Sequence, residues 1–221
     1  MASRRGFVVT LARLVVAAGV FALWPSLDLE VSSFFFRESG FVGRGGLWSA
    51  GRRFFQVAPF VLLAALAALY LCRRFAIAVP YAPSGRALVF LIATIVVAPV
   101  LVVNLGLKDH AHRPRPTQTQ DFGGVYEFRP WDRFDGACKK NCSFVSGEAS
   151  QGFWMVAPAM LAPPPWRALA LGAALIFGAT ASLLRVAAGG HYLSDVVLAA
   201  LLTLAIVQGA GLLFFRNDEA S

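Results

Sequence analysis

Three residues in the C-terminal part of the chain have the types and spacing needed for phosphoryl transfer. Arg185 and His191 have five residues between them, and His191 and Asp195 have three. If the chain is helical from His191 onward, His191 and Asp195 lie one turn apart on one face, so the carboxylate can hold the ring nitrogen that does not react. A neutral, oriented imidazole is a nucleophile, and the planar guanidinium of Arg185 suits phosphate oxygens. The spacing therefore predicts phosphoryl transfer through a phosphohistidine.

Two further polar clusters lie beside apolar runs, and they decide the interpretation, because a single histidine at a helix end is usually only a polar cap. Residues 108–116, KDHAHRPRP, carry three cations and two histidines directly after a long apolar run. Residues 144–150, FVSGEAS, place two hydroxyls, a glycine and a carboxylate at the start of another. Three polar clusters at three predicted membrane boundaries indicate one shared site.

Together the clusters resemble the type 2 phosphatidic acid phosphatase superfamily. The pattern of that family is a lysine, six residues and Arg-Pro; then Pro-Ser-Gly-His; then Ser-Arg, five residues, His, three residues and Asp. The first element is matched by Lys108, Arg115 and Pro116, and the third by Arg185, His191 and Asp195. Three positions depart from the pattern: Val145 stands for proline, Glu148 for histidine and Leu184 for serine.

The resemblance implies a role for each matched residue. His191 would attack phosphorus, Asp195 would orient it, and Glu148 stands where the family has its proton donor. The implied phosphate ligands are Lys108, Arg115, Ser146, Gly147 and Arg185. Glu148 can donate a proton only if burial outweighs nearby cations, which stabilise its charged form. Two alternatives stay open: His110 or His112 as the acid, and a chain that binds phosphate without turnover.

Composition indicates a membrane protein. Hydrophobic residues make up 57% of the chain, charged residues 14%, and the mean hydropathy is +0.64, so the long apolar runs need lipid around them. We predict an all-α fold, a six-transmembrane-helix bundle in a single domain, 1–221. The predicted spans are residues 7–24, 54–72, 87–107, 146–163, 167–187 and 192–215.

Two connections in this bundle are also predicted to be ordered. Residues 26–53 mix apolar and acidic positions and are expected to contain a short interfacial amphipathic helix. Residues 117–141 are rich in aromatic side chains and are expected to form an ordered extracytoplasmic loop over the site. Six spans would put all three motif elements on the side of the membrane opposite the termini.

The cysteines and arginines favour one orientation of the bundle. A disulfide between Cys138 and Cys142, which lie in the loop that carries the motifs, needs an oxidising compartment; two free thiols are the alternative. The short loop with Arg73, Arg74 and Arg86 is a cytoplasmic signal, although the total of Lys and Arg favours the opposite orientation. We therefore expect a bacterial inner-membrane protein whose site faces the periplasm.

The predicted reaction is removal of a phosphate from a membrane lipid. Residues 141–148, NCSFVSGE, resemble the lipid A phosphatase branch of the superfamily, while undecaprenyl pyrophosphate, phosphatidylglycerophosphate and phosphatidic acid stay open as substrates. A transporter is the competing class, indicated by Arg13 inside a predicted span, but no inverted repeat supports it. No nucleic-acid partner, cofactor or metal is expected, and the sequence predicts no oligomeric state.

Overall fold

Helices form most of this computed structural model, which describes residues 3–75, 79, 81–108 and 110–216. In chain order the elements are α1 (Arg4–Leu23), α2 (Ser26–Ser33), β1 (Phe36–Arg37), β2 (Gly40–Phe41), α3 (Gly46–Arg74), α4 (Gly85–Ile95), a π-helix (Val96–Lys108), α5 (Gly147–Trp154), α6 (Val156–Met160), α7 (Pro164–Ala187) and α8 (Leu193–Phe214). Two short 3₁₀ turns, Pro116–Gln118 and Gln120–Phe122, lie in the long connection before α5.

Five helices in the described part of the chain are long and apolar enough to cross a bilayer, which makes this a multi-pass membrane protein. They are α1, α3, the continuous helix formed by α4 and the π-helix, α7 and α8. The fourth predicted span, residues 146–163, instead forms the two shorter helices α5 and α6. Pro158 explains the break, because it has no N–H to donate to the carbonyl of Trp154, four residues earlier.

A serine cap determines where α5 begins. The side chain of Ser146 accepts a hydrogen bond from the backbone N–H of Ala149 at 3.3 Å, so the helix starts at Gly147, in the second motif. At the other end of α5, Trp154 is fully buried and donates from Nε1 to Thr94 Oγ1 on α4 at 3.0 Å. The position of α5 is therefore fixed at both ends.

The connection between α1 and α3 folds against the end of α7. Of the predicted interfacial segment 26–53, only α2 and the start of α3 are helical, and a two-stranded hairpin pairs Phe36 with Phe41. Gly43 then donates from its backbone N–H to the carbonyl of Ala187 at 2.9 Å. A Cβ at Gly43 would overlap the backbone at the end of α7, so only glycine permits this approach.

The long connection before α5 is packed against the helices. The carbonyl of Gln118 accepts from Val125 and Tyr126 at 3.0 and 2.9 Å, which closes the first part of the connection on itself. Further on, Trp131 donates from Nε1 to the carbonyl of Ala18 in α1 at 3.2 Å. These contacts tie the connection both to itself and to the bundle.

Small residues let α5 approach α7 closely, as they do between membrane helices generally. A Cβ added at Gly152 would lie 3.1 Å from Gly178 Cα, and one added at Gly178 would lie 2.8 Å from the ring of Phe153. Both distances are shorter than an ordinary carbon–carbon contact. The fold therefore depends on the absence of side chains at these two positions.

We expect Gly178→Ala to destabilise the protein by about 1–3 kcal/mol, because the added methyl group forces the Phe153 ring to shift. Gly172 is the matched control, since it lies in the same helix and its added Cβ would meet nothing within 4 Å. Gly172→Ala should be neutral or stabilising. Thermal unfolding midpoints of both variants in detergent micelles test this, and equal midpoints would contradict it.

Candidate active site

A fully buried guanidinium, that of Arg113, joins three separate segments. Its Nη1 donates to Asp195 Oδ1 on α8 at 2.6 Å, and its Nη2 donates to Asp28 Oδ2 on α2 at 2.7 Å. Its Nε donates to the carbonyl of Arg129 at 2.8 Å. Asp28 also accepts from the backbone N–H of Ser194 at 2.8 Å. One cation thus compensates two buried carboxylates, which fixes α2 against the start of α8.

Aromatic rings complete the surroundings of Arg113. The guanidinium carbon lies 4.4 Å from the ring centroid of Tyr192 and 5.6 Å from that of Phe128, within the range of cation–π attraction. Burial raises the pKa of the Tyr192 hydroxyl above its ordinary value. Tyr192 therefore stays neutral and packs as an aromatic side chain directly beside the predicted nucleophile.

Asp195 connects the start of α8 to the segment before α5. Its Oδ2 accepts from the backbone N–H of Tyr192 at 2.8 Å, which caps the helix, and from the hydroxyl of Ser143. Its backbone carbonyl accepts from the N–H of Ser146 at 3.2 Å. The second and third motifs are therefore held together mainly by this one aspartate.

The ring of His191 is oriented by a backbone carbonyl. Its Nδ1 lies 2.7 Å from the carbonyl oxygen of Ser143, and a carbonyl only accepts, so Nδ1 carries the proton and Nε2 keeps its lone pair. The predicted direct contact with Asp195 is longer, 3.7 Å from Nδ1 to Oδ2, beyond hydrogen-bond distance. Asp195 instead holds Ser143, whose carbonyl then holds the ring.

Burial is the main reason that His191 is a neutral base. Together with the positive charges of Arg185 and Arg115, burial lowers the pKa of His191 to about 4, although the Asp195 carboxylate acts in the opposite direction. The ring is therefore uncharged at neutral pH, and Nε2 is available as a nucleophile.

A polar cavity of about 320 Å³ reaches Gly190, the residue before His191, whereas His191 is 1% exposed and is not itself part of the cavity wall. Such a volume holds a headgroup larger than a single phosphate. Four arginines contribute to the wall, which is formed by Gly43, Arg44, Gly45, Trp48, Ser49, Arg52, Arg115, Thr117, Leu184, Arg185, Ala188 and Gly190. Such a concentration of guanidinium groups suits an anionic ligand.

Glu148 reaches two of these arginines. Arg52 donates to it from Nε at 2.9 and 3.2 Å and from Nη2 at 2.7 Å, and Arg185 Nε lies 3.2 Å from Glu148 Oε1. Two guanidinium groups stabilise the carboxylate over the protonated acid. A proton donor at this position would have to be protonated, whereas the two arginines beside Glu148 favour its charged form.

Arg185 retains a buried donor without an acceptor. Its side chain is 6% exposed, and among the described residues no acceptor has hydrogen-bond geometry with its Nε, although Glu148 Oε1 is close. A buried unsatisfied donor is costly. A phosphate oxygen in the cavity would remove that cost.

Arg115, another wall residue, is held by the loop that contains the cysteines. Its Nη2 donates to the carbonyl and the side-chain oxygen of Asn141 at 3.0 and 2.8 Å, and its Nη1 donates to the carbonyl of Gly190 at 3.3 Å. A disulfide joins Cys138 to Cys142 and closes the loop around Asn141. The loop therefore positions a predicted phosphate ligand.

Several predicted residues support the site without lining the cavity. Lys108 ends the π-helix half-buried, and the Ser146 hydroxyl is the α5 cap. A Cβ at Gly147 would lie 2.7 Å from Asn104 Oδ1, so this glycine permits close packing against the π-helix. None of the three is a wall residue.

The two histidines considered as alternative acids also lie outside the wall. His110 is exposed, and the Nδ1 of His112 is 2.9 Å from the carbonyl of Cys138 in the disulfide loop. Within the described ranges, no group of three His, Cys, Asp or Glu side chains is arranged to hold a metal ion.

Five residues of this site are not identified by the sequence motifs. Arg113, Asp28 and Ser143 hold the predicted catalytic pair, and Arg44 and Arg52 line the cavity. The sequence does carry a signal by which Arg52 could have been found, because a cation in the first turns of an apolar helix often marks a functional site. Arg53 carries the same signal, however, and only the fold separates the two.

Curated relatives of this chain are lipid phosphatases by name. A protein of Francisella tularensis subsp. novicida (strain U112) named lipid A 4'-phosphatase is 32% identical over 208 residues, which covers 90% of this chain and 91% of that protein. Proteins of the same name from Rhizobium etli and Rhizobium leguminosarum are 32% and 39% identical, over 85% and 52% of this chain and 79% and 49% of theirs.

No solved structure gives a significant match. The sequence profile of the PAP2 superfamily matches residues 86–219, which include the three motifs and every catalytic residue predicted from them. The match covers more than half of the chain, and the relatives extend it to nearly the full length. The chain belongs to the PAP2 superfamily.

Proposed function

We propose that this protein removes a phosphate monoester from lipid A, as a lipid A 4'-phosphatase, through a phosphohistidine at His191. The observation that carries the proposal is a neutral imidazole whose Nε2 keeps its lone pair and whose neighbour in the chain, Gly190, lies in the wall of a cavity together with four arginines. The names of the relatives support lipid A as the substrate. The membrane helices supply the setting in which such a lipid is found.

In the first step, His191 Nε2 forms a bond to phosphorus as the bond from phosphorus to the lipid oxygen breaks. Such a transition state needs positioning and charge stabilisation more than covalent assistance. Arg115 and Arg185 supply both, since each presents a planar fork of N–H groups to the phosphate oxygens. As the ring becomes positively charged, the Ser143 carbonyl and the nearby Asp195 carboxylate stabilise it.

In the second step, water cleaves the phosphohistidine. The lipid oxygen released in the first step takes a proton from a water molecule that enters with the headgroup. The hydroxide that remains then attacks phosphorus and breaks its bond to His191 Nε2. One water molecule is consumed overall, and the products are the lipid alcohol and inorganic phosphate. This pair of steps requires no proton from Glu148, and the two arginine partners of Glu148 favour its charged form.

We further propose that α5 and α6 together complete a sixth crossing, with the site at the periplasmic face of the bacterial inner membrane. The Cys138–Cys142 disulfide supports an oxidising compartment for the motif-bearing side. The arginines at the end of α3 and the start of α4, at the opposite end of the bundle, support a cytoplasmic location there.

We expect His191→Ala to abolish phosphate release, by roughly 10⁴-fold or more, because it removes the nucleophile. The measurement is release of inorganic phosphate by purified protein from lipid A, undecaprenyl pyrophosphate, phosphatidylglycerophosphate and phosphatidic acid. Wild type should prefer lipid A, and mass spectrometry of the product should show loss of the 4'-phosphate.

Two results would count against this proposal. Release at the wild-type rate by His191→Ala would exclude the nucleophile. No release from any of the four lipids by folded wild-type protein would exclude the activity altogether.

Substitution of Arg113 should lower the stability of the protein, whereas substitution of Arg115 should lower its activity. Arg113→Ala leaves two buried carboxylates without a cation and should cost about 3–5 kcal/mol of stability. Arg115→Ala should keep the unfolding midpoint and lower kcat/KM by roughly 10²–10³-fold, the usual loss for one transition-state donor. Thermal unfolding and phosphate release on both variants provide the test. An Arg113→Ala protein with the wild-type midpoint would refute the assigned structural role.

The low pKa of His191 can be observed without substrate. In protein labelled with ¹⁵N-histidine, the His191 ring should remain in its neutral Nδ1–H form at about pH 5.5, where an ordinary histidine with a pKa near 6.5 is mostly protonated. The missing resonance in His191→Ala identifies the signal. A ring that titrates near 6.5 would show that burial does not control this base.

A further inference from the structure

Arg52 and Glu148 form an ion pair between two elements that are distant in sequence. Arg52 lies in the second turn of α3, before the part of the chain matched by the family profile, and Glu148 lies in the first turn of α5. The contact is made by Nε and Nη2 together, the forked geometry that gives arginine–carboxylate pairs their directionality.

The same carboxylate oxygen also faces Arg185. Glu148 Oε1 is 2.7 Å from Arg52 Nη2 and 3.2 Å from Arg185 Nε, so the two nitrogens are separated by no more than the sum of these distances. Arg185 belongs to the third motif and is an implied phosphate ligand. A third cation, Arg52, therefore stands beside the two that the motifs supply to the cavity.

The exposure of Arg52 fits a residue that meets a ligand. Its side chain is 43% exposed while that of Glu148 is 17% exposed, so the arginine borders the cavity from a partly open position. The hydrogen bonds recorded for Arg52 among the described residues all run from Nε and Nη2 to Glu148. A guanidinium has five N–H donors, and Glu148 uses only part of them.

We infer that Arg52 binds the phosphate that is transferred, and that Glu148 is a positioning residue that holds Arg52 next to Arg185. The inference rests on the proposed function and goes beyond the residues of the family motifs. The carboxylate offsets the repulsion between the two neighbouring guanidinium groups. When a phosphate enters, its oxygens accept from the remaining N–H groups of both arginines.

This arrangement explains why a glutamate occupies the place of the family histidine. A proton donor there would have to be neutral, whereas a carboxylate shared by two arginines is charged. The exchange of a histidine for a glutamate thus replaces a proton donor with an anchor for one more phosphate ligand. The chemical consequence is a site that depends on an additional cation instead of on an acid.

The first test is binding of inorganic phosphate, the product, to the purified full chain by calorimetry in detergent. Arg52→Ala should raise the Kd at least 10-fold, and Arg52→Lys should recover part of the affinity because it keeps the charge without the fork. Arg53→Ala is the matched control, since Arg53 is the neighbouring exposed cation and lies outside the cavity wall. Its Kd should stay within twofold of wild type.

The second test compares two substrates, lipid A and an activated aryl phosphate whose leaving group needs no proton. Arg52→Ala and Glu148→Gln should each lower kcat/KM by roughly 10–10³-fold on both substrates, because each weakens phosphate binding in the transition state. The kcat/KM of the double variant, Arg52→Ala with Glu148→Gln, should be within about twofold of that of Arg52→Ala, because Glu148 acts through Arg52. Unfolding midpoints confirm that the variants are folded.

Each arm has an outcome that overturns the inference. If Arg52→Ala binds phosphate with the wild-type Kd, Arg52 is not a phosphate ligand. A Glu148→Gln loss on lipid A alone, with the aryl phosphate spared, assigns Glu148 as the proton donor. If the wild-type protein does not hydrolyse lipid A but its phosphate binding still depends on Arg52, the proposed function is wrong. The role of Arg52 in phosphate binding is then still supported.

Discussion

The buried ion pairs of Arg113 are the constraint on which the site depends. Two carboxylates cannot be buried side by side without a cation, and Arg113 is the group that makes Asp28 and Asp195 compatible with a dry interior. Because Asp195 then caps α8 and holds Ser143, the orientation of His191 follows from the same cation. Neither carboxylate could keep its position if the arginine were absent.

The same cations meet the electrostatic demands of the nucleophile and of the ligand. A phosphate dianion needs several cations, and the positive charges of Arg185 and Arg115 also disfavour a proton on His191. A histidine that must attack should be neutral, and these charges add to the burial that keeps the base unprotonated. The carboxylate of Asp195 is 3.7 Å from Nδ1, so besides holding Ser143 it would stabilise the ring once the ring has acquired charge.

Five of the six predicted membrane helices and the family could be predicted from the sequence, because hydropathy and motif spacing are local properties. It could not predict that His191 is held by the Ser143 carbonyl, since a backbone contact leaves no mark in residue identity. Nor could it separate Arg52 from Arg53, which differ only in the helix face that each occupies. The break between α5 and α6 is explained by Pro158, which the prediction of one span over residues 146–163 did not take into account.

The ion pair of Asp28 and the position of Arg52 have an evolutionary consequence. Both residues precede the segment that the family profile describes, while the nucleophile and its motifs lie within it. The motif residues and two of the residues that hold or flank them are thus encoded in stretches that can diverge separately. Relatives that share every motif can therefore still differ in the wall of the cavity, through changes in a part of the chain that the profile does not describe.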